Sequence, residues 1–190
     1  MSTMARSADQ STRSSRGERR AERRRLQRVD RLSAHLAELS AIRGLLEQAA
    51  EVTRHGWVQD AWFTVDMANG KRPVTALAMR LVENRPVTGA CLVGSIVESA
   101  GGPSTAGSQL VQRTLDLAWH SLREEPDQPV RWCPGPRVRT MHLLDLTHWN
   151  DAPGRTQGDV VDLLVAARET AETERGRCLV ELGRSEVAPR

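Results

Sequence analysis

An all-α fold is predicted by three features of the sequence. Apolar residues recur at three- and four-residue intervals in several long segments. Cap and turn residues separate those segments, and strand-like and helix-like stretches do not alternate. The expected form is a single compact domain of five or six helices, with room for one short β-hairpin and a disordered basic N-terminal tail. Residues 1–17 form the Arg/Ser-rich tail, 18–54 a basic and then amphipathic helix or pair of helices, 55–175 the helical domain, and 176–190 a short C-terminal segment and tail.

Residues 1–17 are Ser, Thr, Gly and Arg with little apolar content, too little to offset the entropy of ordering them. From Gly17 the pattern changes. Leu26, Val29, Leu32, Leu36 and Leu39, continued by Ile42, Leu45, Leu46 and Ala49, make a helical stripe that His55-Gly56 ends. Ser40 and Gly44 mark the place where it would break in two. In residues 57–88, AWFTVD, then Asn69-Gly70 and PVTALAM read as a hairpin with a tight Asn-Gly turn, although ALAMRLVEN also suits a helical turn. The stretch TGACLVGSIVESAGG reads as a buried helix, apolar all round, with Thr88 as N-cap and Gly101-Gly102 as the stop. Gly94 inside it costs up to about 1 kcal/mol against Ala, which makes sense where another backbone comes close.

The next helix is expected to open at Ser104 or Thr105, with Leu110, Val111, Thr114, Leu115, Ala118 and Leu122 facing inward. Pro126, Pro129, Pro134 and Pro136 impose a loop. A short helix follows over about 138–149, broken by Asn150-Asp151-Ala152-Pro153-Gly154. Thr156 and Asp159 then have the spacing of a capping box, opening a last helix that Gly176 is expected to end.

Composition narrows the functional classes. Residues 1–30 hold nine arginines against four acids, so the pI near 9.2 belongs to the N-terminal end and the remainder is slightly acidic. Cys91, Cys133 and Cys178 are odd in number and widely spaced, which suits a reducing compartment rather than a disulfide framework. There is no apolar run of the roughly 18 to 20 residues that a membrane span requires and no secretory leader pattern, so a cytoplasmic protein with no membrane partner is expected. Neither phosphate-cradling glycine pattern, G-x-x-x-x-G-K-[ST] or G-x-G-x-x-G, is present, and no cofactor is expected.

Cys91-Leu92-Val93-Gly94-Ser95 in the middle of the chain, followed by Trp149-Asn150-Asp151 and then Arg155-Thr156 with Asp159-Val160, resembles a family of small actinobacterial and actinophage proteins, a domain of unknown function. The resemblance covers roughly residues 42–170 and leaves out the arginine-rich start. It implies no activity; it implies an origin on phages or integrative elements.

Four candidate sites follow from residue types and spacing. Cys91 at a helix start, with His148 and Asp151 downstream, has the elements of a cysteine hydrolase, set against the general tendency of a free Cys among Leu92, Val93 and Ile96 to be inert core. His142, Asp145 and His148 lie at i, i+3 and i+6, with Cys133 nearby in sequence. A metal needs three or four converging ligands, so the expectation there is a polar helix surface and no metal. Trp149-Asn150-Asp151 reads as a joint: a ring to bury, two turn-forming residues, and an Asp151–Arg155 ion pair. Arg13, Arg16, Arg19, Arg20, Arg23, Arg24, Arg25 and Arg28 recur near helical spacing and would neutralise phosphates. No aromatic residue interleaves them to read bases.

The functional expectation is therefore a non-enzymatic regulatory or accessory protein of a mobile genetic element or phage-derived locus. It would hold DNA or RNA with low specificity through its N-terminal arginines. The alternative partner of those arginines is an acidic protein, and the alternative functions are a protein-interaction module with an incidental basic tail and a cysteine hydrolase using Cys91 with His148.

Overall fold

The computed structural model describes residues 5–82, 85–123, 128–133 and 135–187, with side chains from Gly17 to Ser185 within those bounds. Five α-helices, two short 3-10 turns and a three-stranded sheet follow one another: α1 (Ala5–His55), β1 (Phe63–Met67), β2 (Gly70–Val74), β3 (Val87–Ala90), α2 (Leu92–Ser99), α3 (Gln109–Arg123), α4 (Pro136–Asn150) and α5 (Gln157–Val187), with the 3-10 turns at Ala76–Leu81 and Pro103–Thr105. Helix dominates, as the periodicity predicts. The chain divides into two compact units, Glu38–Arg175 and a second made of residues 1–37 and 176–190. The boundary thus falls inside α1 and inside α5.

The core of the larger unit comes from every element in it. Leu39, Ile42, Leu46 and Ala49 line α1, Leu92 and Ile96 α2, and Val111, Leu117 and Ala118 α3. Leu146 of α4 and Val160, Leu164 and Ala167 of α5 are equally buried, as are Phe63, Val65 and Val74 of the sheet. The stripe runs unbroken through Ser40 and Gly44, so one helix forms where a break was conceivable. A Cβ at Gly44 would meet nothing within 4 Å. That glycine costs helix propensity without forcing a kink.

The hairpin forms between β1 and β2, with Met67 paired to Gly70 and Phe63 to Val74. Positive φ falls only on Gly70 (106°), not on Asn69, which is the pattern of a turn closed by a glycine bulge. The sheet has a third member that sequence reasoning missed: β3 pairs antiparallel on the other edge of β1, in the order β2-β1-β3. Val87-Thr88-Gly89-Ala90 is therefore strand, and Thr88 is not the cap of α2; Cys91 is, its Sγ accepting the Gly94 N–H at 3.3 Å. The strand is fixed by the end of α1. Gly56 O accepts the Ala90 N–H at 2.9 Å, and a Cβ on Gly56 would lie 2.3 Å from the Thr88 carbonyl oxygen.

Two further expectations are corrected. Ser108, not Ser104 or Thr105, caps α3, its Oγ accepting the Val111 N–H at 3.3 Å, because Pro103–Thr105 is already a 3-10 turn. Helix α5 does not stop at Gly176 but continues to Val187, through the segment RCLVEL that had no obvious place. A glycine with open space around it, as at 176, lowers helix propensity but does not terminate a helix that packs on both sides of it. Helix α1 begins at Ala5, and the side chains of residues 1–16 lie outside the described ones.

Candidate functional site

Helix α4 ends on Asn150, whose side chain is 1% exposed and uses every donor and acceptor it has. Its Oδ1 accepts the Trp57 indole N–H at 3.0 Å and the Leu92 backbone N–H at 3.0 Å. Its Nδ2 donates to the Val58 carbonyl at 3.1 Å and to Asp151 Oδ1 at 2.7 Å. Gln59 Nε2 reaches back to the carbonyls of Asn150 and Ala152, both at 3.1 Å. Asp151 Oδ1 also accepts the N–H of Asp60, a residue with φ of 60°. One amide side chain thus ties together the end of α4, the start of α2 and the loop after α1. This is the joint that the Trp-Asn-Asp pattern suggests.

Its details differ from expectation. Asp151 bonds to Asp60 and Asn150, and the predicted Asp151–Arg155 pair is not formed. Arg155 instead lays its guanidinium over the Trp149 ring at 3.9 Å, donates from Nε to the Trp149 carbonyl at 3.1 Å, and stands 3.8 Å from Asp159. The capping box forms: Asp159 Oδ2 accepts from Thr156 N at 2.8 Å and Thr156 Oγ1 at 2.9 Å, and Asp159 N donates to Thr156 Oγ1 at 3.2 Å. These bonds hold the Asp159 carboxyl below its ordinary pKa, with a lesser contribution from Arg155.

Cys91 lies inside this joint, not in a cleft. Burial pushes its thiol up to about 12; the nearby Asp151 carboxylate acts in the same direction, and the Gly94 and Val93 N–H groups oppose it more weakly. A thiol so held is protonated at neutral pH and is not a nucleophile. His148 is exposed, with no hydrogen bond to Cys91 or Asp151 among the described residues. The elements of the hydrolase are present, but they are not assembled.

His142, Asp145 and His148 do not converge on one point either. Asp145 accepts the Trp119 indole N–H at 2.8 Å and stands 3.6 Å from Arg123. His142 turns inward, where Asp116 of α3, Cys133 of the loop before α4 and His142 itself bring one ligand atom each to within 4.8 Å of one another. Asp116 is 1% exposed. Its Oδ1 lies 3.3 Å from His142 Nδ1, and its Oδ2 lies 3.4 Å from the Cys133 N–H and 3.7 Å from Arg139. The Trp119 ring stacks on the His142 imidazole at 3.9 Å between centroids. Sequence reasoning had two of these three residues in view but missed Asp116. The signal was available: a lone acid between Leu115 and Leu117, at a helix position that the core encloses.

The basic end forms its own site in the smaller unit. Arg25 Nε donates to the Ser185 carbonyl at 2.9 Å and Arg28 pairs with Glu181 at 2.5 Å, so the two helical segments run antiparallel. Arg24, Arg25, Arg28, Arg184 and Ser185 line a cleft of about 330 Å³. Arg19, Arg20, Arg23, Arg24 and Arg28 are exposed; the side chains of Arg13 and Arg16 lie outside the described residues. Over residues 18–37 and 176–187 this unit carries nine arginines against five acids. Sequence reasoning missed Arg177 and Arg184, because only folding brings the far end of the chain to the first helix.

Fold and sites together define a helical domain with a small antiparallel sheet, knit by a buried asparagine and continued by a basic helical pair. The family DUF6197, described as a family of unknown function, matches residues 37–170, and the chain belongs to it. The match takes in the Asn150 joint and the Asp116–Cys133–His142 cluster, and stops short of the basic pair. No curated protein and no solved structure matches the chain. Among the described residues no helix is long and apolar enough to cross a membrane.

Proposed function

We propose that the protein is a non-enzymatic accessory protein that holds nucleic acid through its basic helical pair, in a setting such as a mobile genetic element. The supporting observation is the cleft formed by Arg24, Arg25, Arg28 and Arg184, drawn from two segments far apart in sequence. Guanidinium groups from two sides of a groove follow a phosphate backbone better than those of one isolated helix, and their binding releases counterions. Nothing in the cleft offers a base-reading pattern, so low sequence preference is expected.

Fluorescence anisotropy with random-sequence duplex DNA and single-stranded RNA tests this. For about four phosphate contacts, the logarithm of affinity should fall against that of salt concentration with a slope of about −3 to −4. Replacing Arg24, Arg28 and Arg184 by Gln should reduce that slope by about 2 to 3, and removing residues 1–30 should abolish binding. Unchanged binding by both variants defeats the reading.

One observation favours a second reading, that of a protein-interaction module. Val138, Met141 and Leu144 are exposed at three-residue spacing along α4, an apolar stripe on the larger unit. Under that reading, capture of a protein partner survives loss of residues 1–30 and is lost in Met141→Glu.

A further inference from the structure

We propose that Asp116, Cys133 and His142 form a divalent-metal site whose donor set selects zinc. A carboxylate, a thiolate and an imidazole are borderline-soft ligands that suit zinc, whereas magnesium and calcium take oxygen donors. The two anionic ligands would balance the dication, with the imidazole neutral.

The geometry argues for an ion rather than a hydrogen-bonded core cluster. The buried Asp116 carboxylate has partners at 3.3, 3.4 and 3.7 Å, all longer than the roughly 2.7 to 2.9 Å of a charge-assisted bond. A carboxylate taken out of water needs closer compensation than that. Ligand atoms on a tetrahedral zinc with bonds of about 2.0 to 2.3 Å stand roughly 3.3 to 3.8 Å apart. The 3.3 Å between Asp116 Oδ1 and His142 Nδ1 already falls in that range, and Cys133 Sγ completes a set within 4.8 Å.

The surroundings hold each ligand in place. Trp119 stacks on the His142 ring, and Arg139 approaches the outer oxygen of Asp116. The loop bearing Cys133 is pinned by Glu174, whose Oε1 accepts the Val130 N–H at 3.2 Å, and by Arg113 over the Trp132 ring at 3.7 Å. Such supporting contacts fix ligand orientation and raise affinity. On binding, Cys133 exchanges its S–H bond, now directed to the Gly135 carbonyl at 3.0 Å, for an S–Zn bond, and the proton leaves to solvent. Three protein ligands leave a fourth position for water.

The test is titration of the full chain, made without a histidine tag and stripped with chelator, with Co²⁺ and Zn²⁺. One equivalent of Co²⁺ should bind and give a thiolate-to-cobalt charge-transfer band, which zinc then displaces. Cys133→Ser should remove the band, and Asp116→Asn and His142→Asn should weaken binding at least about tenfold, with far-UV circular dichroism confirming that each variant folds. Cys91→Ser and Cys178→Ser should leave the band unchanged. Should any of these variants fail to fold, alkylation of the native chain gives a second readout, because zinc should protect Cys133 alone. Less than one equivalent bound, a band that survives Cys133→Ser, or alkylation of Cys133 unaffected by zinc would overturn the proposal.

Discussion

The side-chain oxygen of Asn150 accepts the backbone N–H of Leu92 at 3.0 Å, so the last residue of α4 holds the first residue of α2. Asn150→Ala would strand that N–H, the Trp57 indole and the Val58 carbonyl. Each unmet buried group costs about 1 to 3 kcal/mol. A loss of about 3 to 6 kcal/mol is expected in urea unfolding, read as a lower midpoint at unchanged slope. A loss below about 1 kcal/mol would show that the network is dispensable.

Two glycines in helices should respond in opposite directions. A Cβ at Gly94 would lie 2.0 Å from the Trp62 carbonyl oxygen, with backbone atoms that cannot step aside. Gly94→Ala should therefore cost about 3 kcal/mol or more, or prevent folding altogether. Gly44 faces open space, and Gly44→Ala should stabilise by about 0.5 to 1 kcal/mol through helix propensity. Thermal melts of the pair give the comparison directly.

Cys91 should make the fold sensitive to alkali. Its thiol is raised from 9.0 to about 12 by burial, so the neutral form belongs to the folded state. The stability this represents is fully present below about pH 9 and is lost as pH rises toward 12, where the unfolded thiol ionises and the folded one does not. Cys91→Ser, which keeps a capping oxygen, should flatten the decline between pH 9 and 11. An identical alkaline profile in the variant would count against it.

Asp159 should titrate below 3.8, lowered first by its bonds to Thr156 N and Oγ1. A depressed folded pKa contributes stability above the unfolded value, and that contribution is lost as pH falls through the folded one. Thr156→Ala removes the hydroxyl bond and should move the Asp159 carboxyl back toward its ordinary value, measurable by carboxyl-carbon NMR. A shift in the other direction would contradict the capping geometry.

Several parts of the architecture could be read from local pattern. The α1 stripe from Leu39 to Ala49, the Thr156–Asp159 box and the Gly70 turn are all set by residues within a few positions of one another. Gly94 was legible as a place of close backbone approach because its cost within a helix needs a reason. The third strand was not legible, because Val87-Thr88-Gly89-Ala90 carries no alternation and becomes strand only by pairing with β1 and lying on Gly56. The length of α5 was obscured by Gly176, whose local propensity is outweighed by packing.

The same division runs through the sites. The sequence by itself determined the helical class, the Thr156–Asp159 cap of α5, the excess of arginine at one end and the residue types that can ligate a metal or close a joint. Only the tertiary structure decided that Asn150 meets Leu92 and Trp57, that Cys91 is sealed in the core, and that Asp116 joins Cys133 and His142. It likewise brought Arg184 to Arg24 and Arg28. Helix periodicity and capping act over a single turn of chain and are written in adjacent residues. Burial and convergence depend on which distant surfaces pack together, and they set both the pKa of a thiol and the neighbours of a carboxylate.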